Sequence, residues 1–277
     1  MSPVYNSLIT PTHQQQHSLL SKVRPAFAWV LLFLSTAMGS ANAQHIEVGE
    51  VEPFDVVYEV GNHLITAGTA QLSLTQEGDL WTYSLNTTPR GILKLAGKGK
   101  INETSTFKLS ETDGKLQIQP QTYLYRQDDE RRRQVDATFD WDKNQVTHLY
   151  RGEEKTETFD QPLIDRLSAT LLMMNGLRRD FESTELQVFD TGRIKAVSFT
   201  RDGTETLETP LGKVETIRVI NKNASGGTRQ TTTWFAPSLD YVPIKIEHRK
   251  RGELVARLKL QSLRNRVTEF TLPISGD

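Results

Sequence analysis

The sequence contains no cysteine, and this absence excludes several kinds of chemistry. A thiol nucleophile, a thiolate metal site and a disulfide each need a cysteine sulfur. The chain must therefore be stabilised by packing alone. Its 277 residues are enough to form a large core without covalent cross-links.

Histidine and the common catalytic motifs are scarce as well. After residue 43 the chain has only His45, His63, His148 and His248, and no two are spaced to present two imidazoles to one metal. There is no G-x-S-x-G nucleophile elbow and no glycine-rich loop of the kind that binds nucleotide phosphates. We therefore expect no metal site, no cofactor and no catalytic residues. A glycan hydrolase with two converging carboxylates is the remaining enzymatic alternative.

No apolar run is long enough to span a membrane, which requires about 20 residues. The run Ala26–Ala37 instead follows Lys22 and Arg24, and small residues at Ala41 and Ala43 form a cleavage motif. We predict that residues 1–43 are a secretory signal peptide with a polar leader, cleaved after Ala43. An exported chain without disulfides fits the bacterial periplasm.

Alternating apolar and polar residues predict strands through most of residues 44–277. In the first of these, Phe54, Val56 and Tyr58 alternate with polar side chains, and pairs such as Gly78-Asp79 mark hairpin turns. We predict one mainly β domain over residues 44–277, whose last ten or so residues form a loose tail. The expected architecture is a single antiparallel, strongly curved sheet, as an incomplete barrel or a sandwich.

One central helix is predicted within this sheet, over about residues 160–176. Pro162 suits a first helical turn, and Gly176 is typical of a helix end. Leu163, Leu167 and Leu171 recur at helical spacing, and Met174 continues their stripe. We expect this apolar stripe to plug the concave face of the sheet.

Nine large apolar residues are candidates for a ligand cavity between the sheet and the helix. They are Trp81, Tyr83, Phe139, Trp141, Leu167, Leu171, Met174, Trp234 and Phe235. The alternative interpretation is that these side chains simply fill the core.

The C-terminal hairpin carries a cluster of basic residues. Between His248 and Arg266 there are seven Lys or Arg residues against the single acid Glu253, a local charge of 7 − 1 = +6. Such a surface could dock on an anionic membrane or an envelope protein, whereas nucleic acid is not expected to meet an exported chain. The alternative is an edge strand that is charged to prevent strand pairing. The candidate contact residues are Arg249, Lys250, Arg251, Arg257 and Lys259.

Several segments together carry a family resemblance. They are the strand Phe54–Val60, the segment beginning at Asp160-Gln161-Pro162-Leu163, Glu208–Thr216, Trp234-Phe235-Ala236-Pro237 and Val242–Ile246. With the signal peptide, they resemble the periplasmic domain-of-unknown-function family numbered 3108. The Trp-x-x-Pro element is also similar, more weakly, to the half-barrel carriers of lipoproteins and to an envelope-stress sensor domain, although those carriers have several helices.

The resemblance implies a periplasmic β protein with a lipid-type cavity and supplies no catalytic residues. Our leading hypothesis is a non-enzymatic protein that binds an apolar or amphipathic envelope ligand, of lipid or lipoprotein type, between sheet and helix. A scaffold or adaptor that docks through the basic hairpin is the second hypothesis, and a glycan hydrolase is the third. The sequence leaves the ligand and the oligomeric state open.

Overall fold

The computed structural model describes residues 52–112, 115–130 and 133–271. The predicted signal peptide and its cleavage point after Ala43 lie outside these residues. The described chain is mainly β, as the alternating pattern predicted. Its first run of strands, with the short helix α1 after β3, comprises β1 (Phe54–Gly61), β2 (Thr66–Glu77), β3 (Leu80–Pro89), α1 (Gly91–Leu95), β4 (Ile101–Thr112), β5 (Lys115–Gln127), β6 (Val135–Asp140), β7 (Gln145–Tyr150) and β8 (Glu153–Thr158).

A short strand and the main helix separate this run from a second series of strands. The remaining elements are β9 (Leu163–Asp165), α2 (Ser168–Leu177), β10 (Ser183–Phe189), β11 (Ile194–Thr209), β12 (Gly212–Asn223), β13 (Arg229–Ala236), β14 (Val242–Lys250), β15 (Glu253–Arg264) and β16 (Glu269–Thr271). Strand β16 pairs with β15 within the segment that was predicted to be a loose tail.

These strands form one large sheet in which each run is an antiparallel meander. The order is β8 to β1 and then β15 down to β9, so that the first and last long strands meet in the middle. The prediction of a purely antiparallel sheet was wrong at one edge, because β9 and β10 are parallel. Helix α2 supplies the crossover that a parallel pair requires, which makes the sheet mixed.

The sheet curls strongly but does not close into a barrel. Its β9–β10 edge lies against the inner face of the first meander. There the Phe189 ring of β10 contacts Tyr123, Phe139 and His148 at centroid distances of 6.0, 5.8 and 5.2 Å. One edge of the sheet thus lies inside the curve formed by the first meander. A single apolar core fills the space between this edge and the meander.

The main helix is shorter than predicted and begins later in the sequence. It begins at Ser168 rather than near Asp160, because Leu163–Asp165 pair with β10 as a strand. The i, i+4 spacing of apolar residues that suggested a helix is equally compatible with a fully buried strand followed by a buried helix. Nine of the ten residues of α2 are buried, so the helix is enclosed on nearly every side instead of presenting one stripe.

Candidate functional site

Most of the predicted cavity residues are packed in the core. Seven of them belong to the core cluster and are at most 6% exposed, while Trp141 is only partly buried and packs against the same cluster. Tyr83 is fully buried, and burial raises the pKa of its hydroxyl, with Glu103 and Asp165 adding to the shift. The seven are Trp81, Tyr83, Phe139, Leu167, Leu171, Met174 and Phe235.

Trp234 does not belong to this group, because it lies on the opposite face of the sheet from Phe235. Its indole Nε1 donates a hydrogen bond to Glu205 Oε2 at 2.8 Å, and the Lys245 Nζ lies 3.9 Å from its ring centroid. Trp234 is buried by these polar side chains and stands outside the core cluster. These surroundings give no support to the prediction that Trp234 lines an interior cavity. Strand alternation between Trp234 and Phe235 could have shown that only one of them faces inward.

A second part of the interior is less tightly packed, and we call it the lumen. The registers of the strands place its strand residues on the inner face, and Arg166 joins them through its pair with Glu103. Each of these residues keeps some solvent-accessible surface. Its apolar members pack against the core with only part of their surface, unlike the residues around α2. The lumen is lined by Val60, Leu85, Tyr125, Arg166, Ile246 and His248.

Arg166 is the main charged group of the lumen. It follows β9 directly, and its Nε donates to Glu103 Oε1 at 3.0 Å while its Nη2 pairs with the other oxygen of the same carboxylate. The guanidinium also lies 5.4 Å from the centroid of the Tyr125 ring and 3.5 Å from Asp190. Burial opposes its charge, but the attraction of Glu103, Tyr123 and Asp190 raises its pKa. The Arg166 side chain nevertheless remains 39% exposed.

His248 lies across the interior from this ion pair. Its side chain is exposed, and its Nδ1 is 2.9 Å from the Thr231 hydroxyl. Even so, desolvation lowers the pKa of His248, and the positive charge of Arg166 lowers it further, against a smaller opposite effect of Glu103. His248 thus keeps solvent contact on the inner face of β14 and lies close enough to Arg166 and Glu103 for their charges to affect its pKa.

A buried hydrogen-bond network is centred on Asp165, the residue that precedes Arg166. Asp165 is fully buried, and its Oδ1 accepts hydrogen bonds from the backbone N–H groups of Leu167 and Ser168, both at 2.9 Å. Its Oδ2 accepts from the hydroxyls of Ser105 at 2.6 Å and Ser168 at 2.7 Å. Burial raises the pKa of Asp165, although the hydrogen bonds partly oppose the shift. The carboxylate thus caps the first turn of α2 and ties it to β4.

Sequence analysis missed this network, although a signal for part of it was present. Ile101, Glu103, Ser105 and Phe107 alternate along β4, and Phe107 is fully buried. Glu103 and Ser105 must then face the same interior as Phe107. Asp165 carried no comparable signal, because the local pattern placed it within the predicted helix.

The two inward carboxylates bear on the hydrolase hypothesis. Glu103 is held by Arg166 and accepts a hydrogen bond from the Tyr123 hydroxyl at 2.8 Å. Asp165 accepts four hydrogen bonds and has no exposed surface. A general acid and its partner need access to a substrate and free oxygen atoms. This geometry therefore gives the hydrolase hypothesis no support.

The basic hairpin occupies the centre of the sheet, so its interpretation as an edge strand was wrong. Strand β15 pairs with β1, and β14 pairs with β13. Its charge is also partly neutralised by Glu247, which lies 2.9 Å from Arg249 and 3.3 Å from Lys245. Burial disfavours the Glu247 carboxylate, but the two cations lower its pKa. Lys250, Arg251 and Lys259 are exposed, and Arg257 donates to the Asn62 carbonyl at 3.4 Å.

Two further kinds of site are absent from the described residues. No group of three or more His, Asp or Glu side chains among them could hold a metal ion. No helix within residues 52–112, 115–130 and 133–271 is long and apolar enough to cross a membrane.

Comparison with known proteins identifies a family and a fold. The family model described as "Protein of unknown function (DUF3108)" matches residues 54–259. A crystal structure titled as a β-barrel-like protein of domain of unknown function DUF1849 from Brucella abortus is similar with a TM-score of 0.51 at 9% sequence identity. The alignment covers 79% of this chain and 100% of that one, which shows a shared fold. No curated protein matches the sequence.

Proposed function

The chain belongs to the DUF3108 family, and from the geometry of its lumen we propose that it binds an amphipathic ligand inside the curved sheet. The proposal rests on Arg166 and His248, whose side chains keep solvent contact although they face the interior of the curved sheet. Both side chains point into the interior and touch solvent, and the pKa of His248 is lowered by desolvation.

The walls of the lumen indicate the chemistry of the ligand. Val60, Leu85 and Ile246 offer apolar surface that the core does not fully cover. Arg166 and His248 are the polar groups that such a ligand would meet. Small-molecule sites are mostly apolar with a few placed polar groups, and this pattern suits an acyl chain with a polar head. An exported protein in contact with the cell envelope would encounter such molecules.

The proposed site differs from the one predicted from sequence. The aromatic residues of the core are packed against one another, as in the stacked rings of Trp81 and Phe107 with centroids 6.3 Å apart. We therefore place the ligand against the lumen residues and not against these core aromatics. The adaptor hypothesis for the basic hairpin remains a prediction, since no specific contact favours it.

Binding of dansyl-undecanoic acid, followed by its fluorescence, tests the proposal. Replacing Ile246 by Trp should fill the lumen, and excluding only two methylenes of the chain costs about 1.6 kcal/mol, or more than tenfold in affinity. Val255→Trp is the matched control, because Val255 is 58% exposed on the neighbouring strand. The control should bind the probe like the wild type.

Two results would contradict the proposal. One is the absence of saturable probe binding together with the absence of any co-purifying lipid in native mass spectrometry. The other is equal probe affinity in the Ile246→Trp and Val255→Trp variants, once urea unfolding has shown that both are folded.

A further inference from the structure

A second concave site lies between the β7–β8 hairpin and the turn that joins β10 to β11. It is an open cleft of about 440 Å³. Tyr150, Arg151 and Lys155 line it from the hairpin, and Gly192 and Arg193 line it from the turn. Its volume lies within the range of about 300–1,000 Å³ that small-ligand sites usually have.

The two sides of this cleft are held at a set distance by a glycine contact. Gly192 has φ +71°, and a Cβ at this position would come within 2.8 Å of the Tyr150 side chain. Only glycine allows both the left-handed backbone and the close approach without strain. The cleft is therefore a formed feature of the fold at the β10–β11 turn.

Positive charge predominates around the cleft. Its lining contains Arg151, Lys155 and Arg193 against the single acid Glu153, a balance of 3 − 1 = +2. Lys155 lies 3.0 Å from Glu153, but both side chains are mostly exposed, so this pair is weak. The Arg151 guanidinium stacks on the ring of Tyr150 at 5.1 Å. Arg193 is exposed and makes no ion pair within the part of the chain that the structure describes.

His148 also lines the cleft, and an unpaired buried atom of its ring points independently to a ligand. His148 is 1% exposed, and its Nε2 lies 3.1 Å from Glu157 Oε1. Its Nδ1 is buried and has no hydrogen-bond partner among the described residues. Leaving such an atom unpaired is unfavourable, and a ligand oxygen in the cleft would relieve the cost. Even when Glu157 is counted, the net charge around the cleft stays positive at 2 − 1 = +1.

We propose that this cleft binds a phosphate group, held by Arg151 and Arg193 and contacting His148 Nδ1. The planar guanidinium groups match the geometry of phosphate oxygens and keep their charge at every physiological pH. The imidazole adds a third contact, as a donor to an oxyanion when it is protonated or as an acceptor from a P–OH group when it is neutral. The phosphate could belong to a small soluble molecule or to a phospholipid headgroup, which share this chemistry.

Titration with inorganic phosphate tests this proposal in the intact protein at constant ionic strength. We expect a saturable change in the NMR shifts of the His148 ring nitrogens. Losing one charge-assisted contact in Arg193→Gln or Arg151→Gln should weaken phosphate binding about tenfold. Arg229→Gln is the matched control, because Arg229 is an exposed arginine outside the cleft and should leave the affinity unchanged.

Vesicles then distinguish the two sources of phosphate. Phosphatidylglycerol vesicles that compete with inorganic phosphate would identify a headgroup site, and vesicles that do not compete would identify a site for soluble phosphates. The proposal is overturned if phosphate up to about 50 mM produces no saturable shift, since charge-assisted contacts of this kind support binding near 1 mM. It is also overturned if all three arginine variants behave alike. Ile246 lies on β14 and does not line the cleft, so Ile246→Trp should not affect phosphate binding.

Discussion

Replacing Asp165 by alanine should destabilise the protein strongly, because this carboxylate satisfies the start of α2 from a fully buried position. Its loss removes four hydrogen bonds. The hydroxyls of Ser105 and Ser168 can pair with each other, since they are 2.7 Å apart. The backbone N–H groups of Leu167 and Ser168 cannot find new partners within the core. Each buried unsatisfied donor costs roughly 1–3 kcal/mol, so we expect the free energy of unfolding to fall by about 4 kcal/mol.

Asparagine at the same position separates hydrogen bonding from charge. Its amide oxygen can still accept from both backbone N–H groups, so Asp165→Asn should cost at most about 1 kcal/mol near neutral pH. Asp160→Ala serves as the control, because Asp160 is an exposed acid just before β9 and its loss should change stability by less than about 0.5 kcal/mol. Urea unfolding followed by circular dichroism gives the free energy of unfolding of Asp165→Ala, Asp165→Asn and Asp160→Ala.

The pH dependence adds a second test of the same carboxylate. Burial raises the pKa of Asp165 above its unfolded value of about 3.9. The stability that this raised pKa contributes is present below the unfolded value and is lost as the pH rises through the folded value. The stability of Asp165→Asn relative to the wild type should therefore improve between about pH 4.5 and pH 7.5. A cost below about 1 kcal/mol for Asp165→Ala, or a constant difference between the Asn variant and the wild type, would refute this reasoning.

Two further predictions concern the β10–β11 turn and the lumen. Gly192→Ala should lower the free energy of unfolding by about 1–3 kcal/mol, because the left-handed backbone and the contact with Tyr150 both resist a Cβ; an unchanged urea midpoint would contradict this. Because desolvation and then Arg166 lower the pKa of His248, its contribution to stability is present above about pH 6.5 and is lost as the pH falls. The urea midpoint of the wild type should thus fall more between about pH 7.5 and pH 5.5 than that of His248→Gln, and parallel curves would count against the lumen environment described for this residue.

The sequence alone predicted the mainly β character of the protein and the existence of one main helix. Period-two alternation is a local signal, and buried positions such as Val56 and Tyr58 follow it directly. The motifs from Phe54 to Ile246 were also sufficient to identify the family. Both conclusions depend on neighbouring residues in the chain, which the sequence displays.

The start of the helix could not be predicted, because it depends on distant partners. Leu163–Asp165 form a strand only because residues 187–189 of β10 lie beside them. Asp165 can cap the helix in a buried position only because Ser105 approaches from β4. Pairing and burial overrode the local preference for helix in this segment.

The tertiary structure also decided which parts of the interior are packed and which remain accessible. Alternation assigns Phe235 and Ile246 to the same inner face without saying that one is 1% exposed while the other keeps solvent contact. The sequence therefore determined the strands and their inward residues. The curl of the sheet and the position of its β9–β10 edge inside the other half depend on contacts between residues far apart in the chain. Only the folded structure brings these residues together.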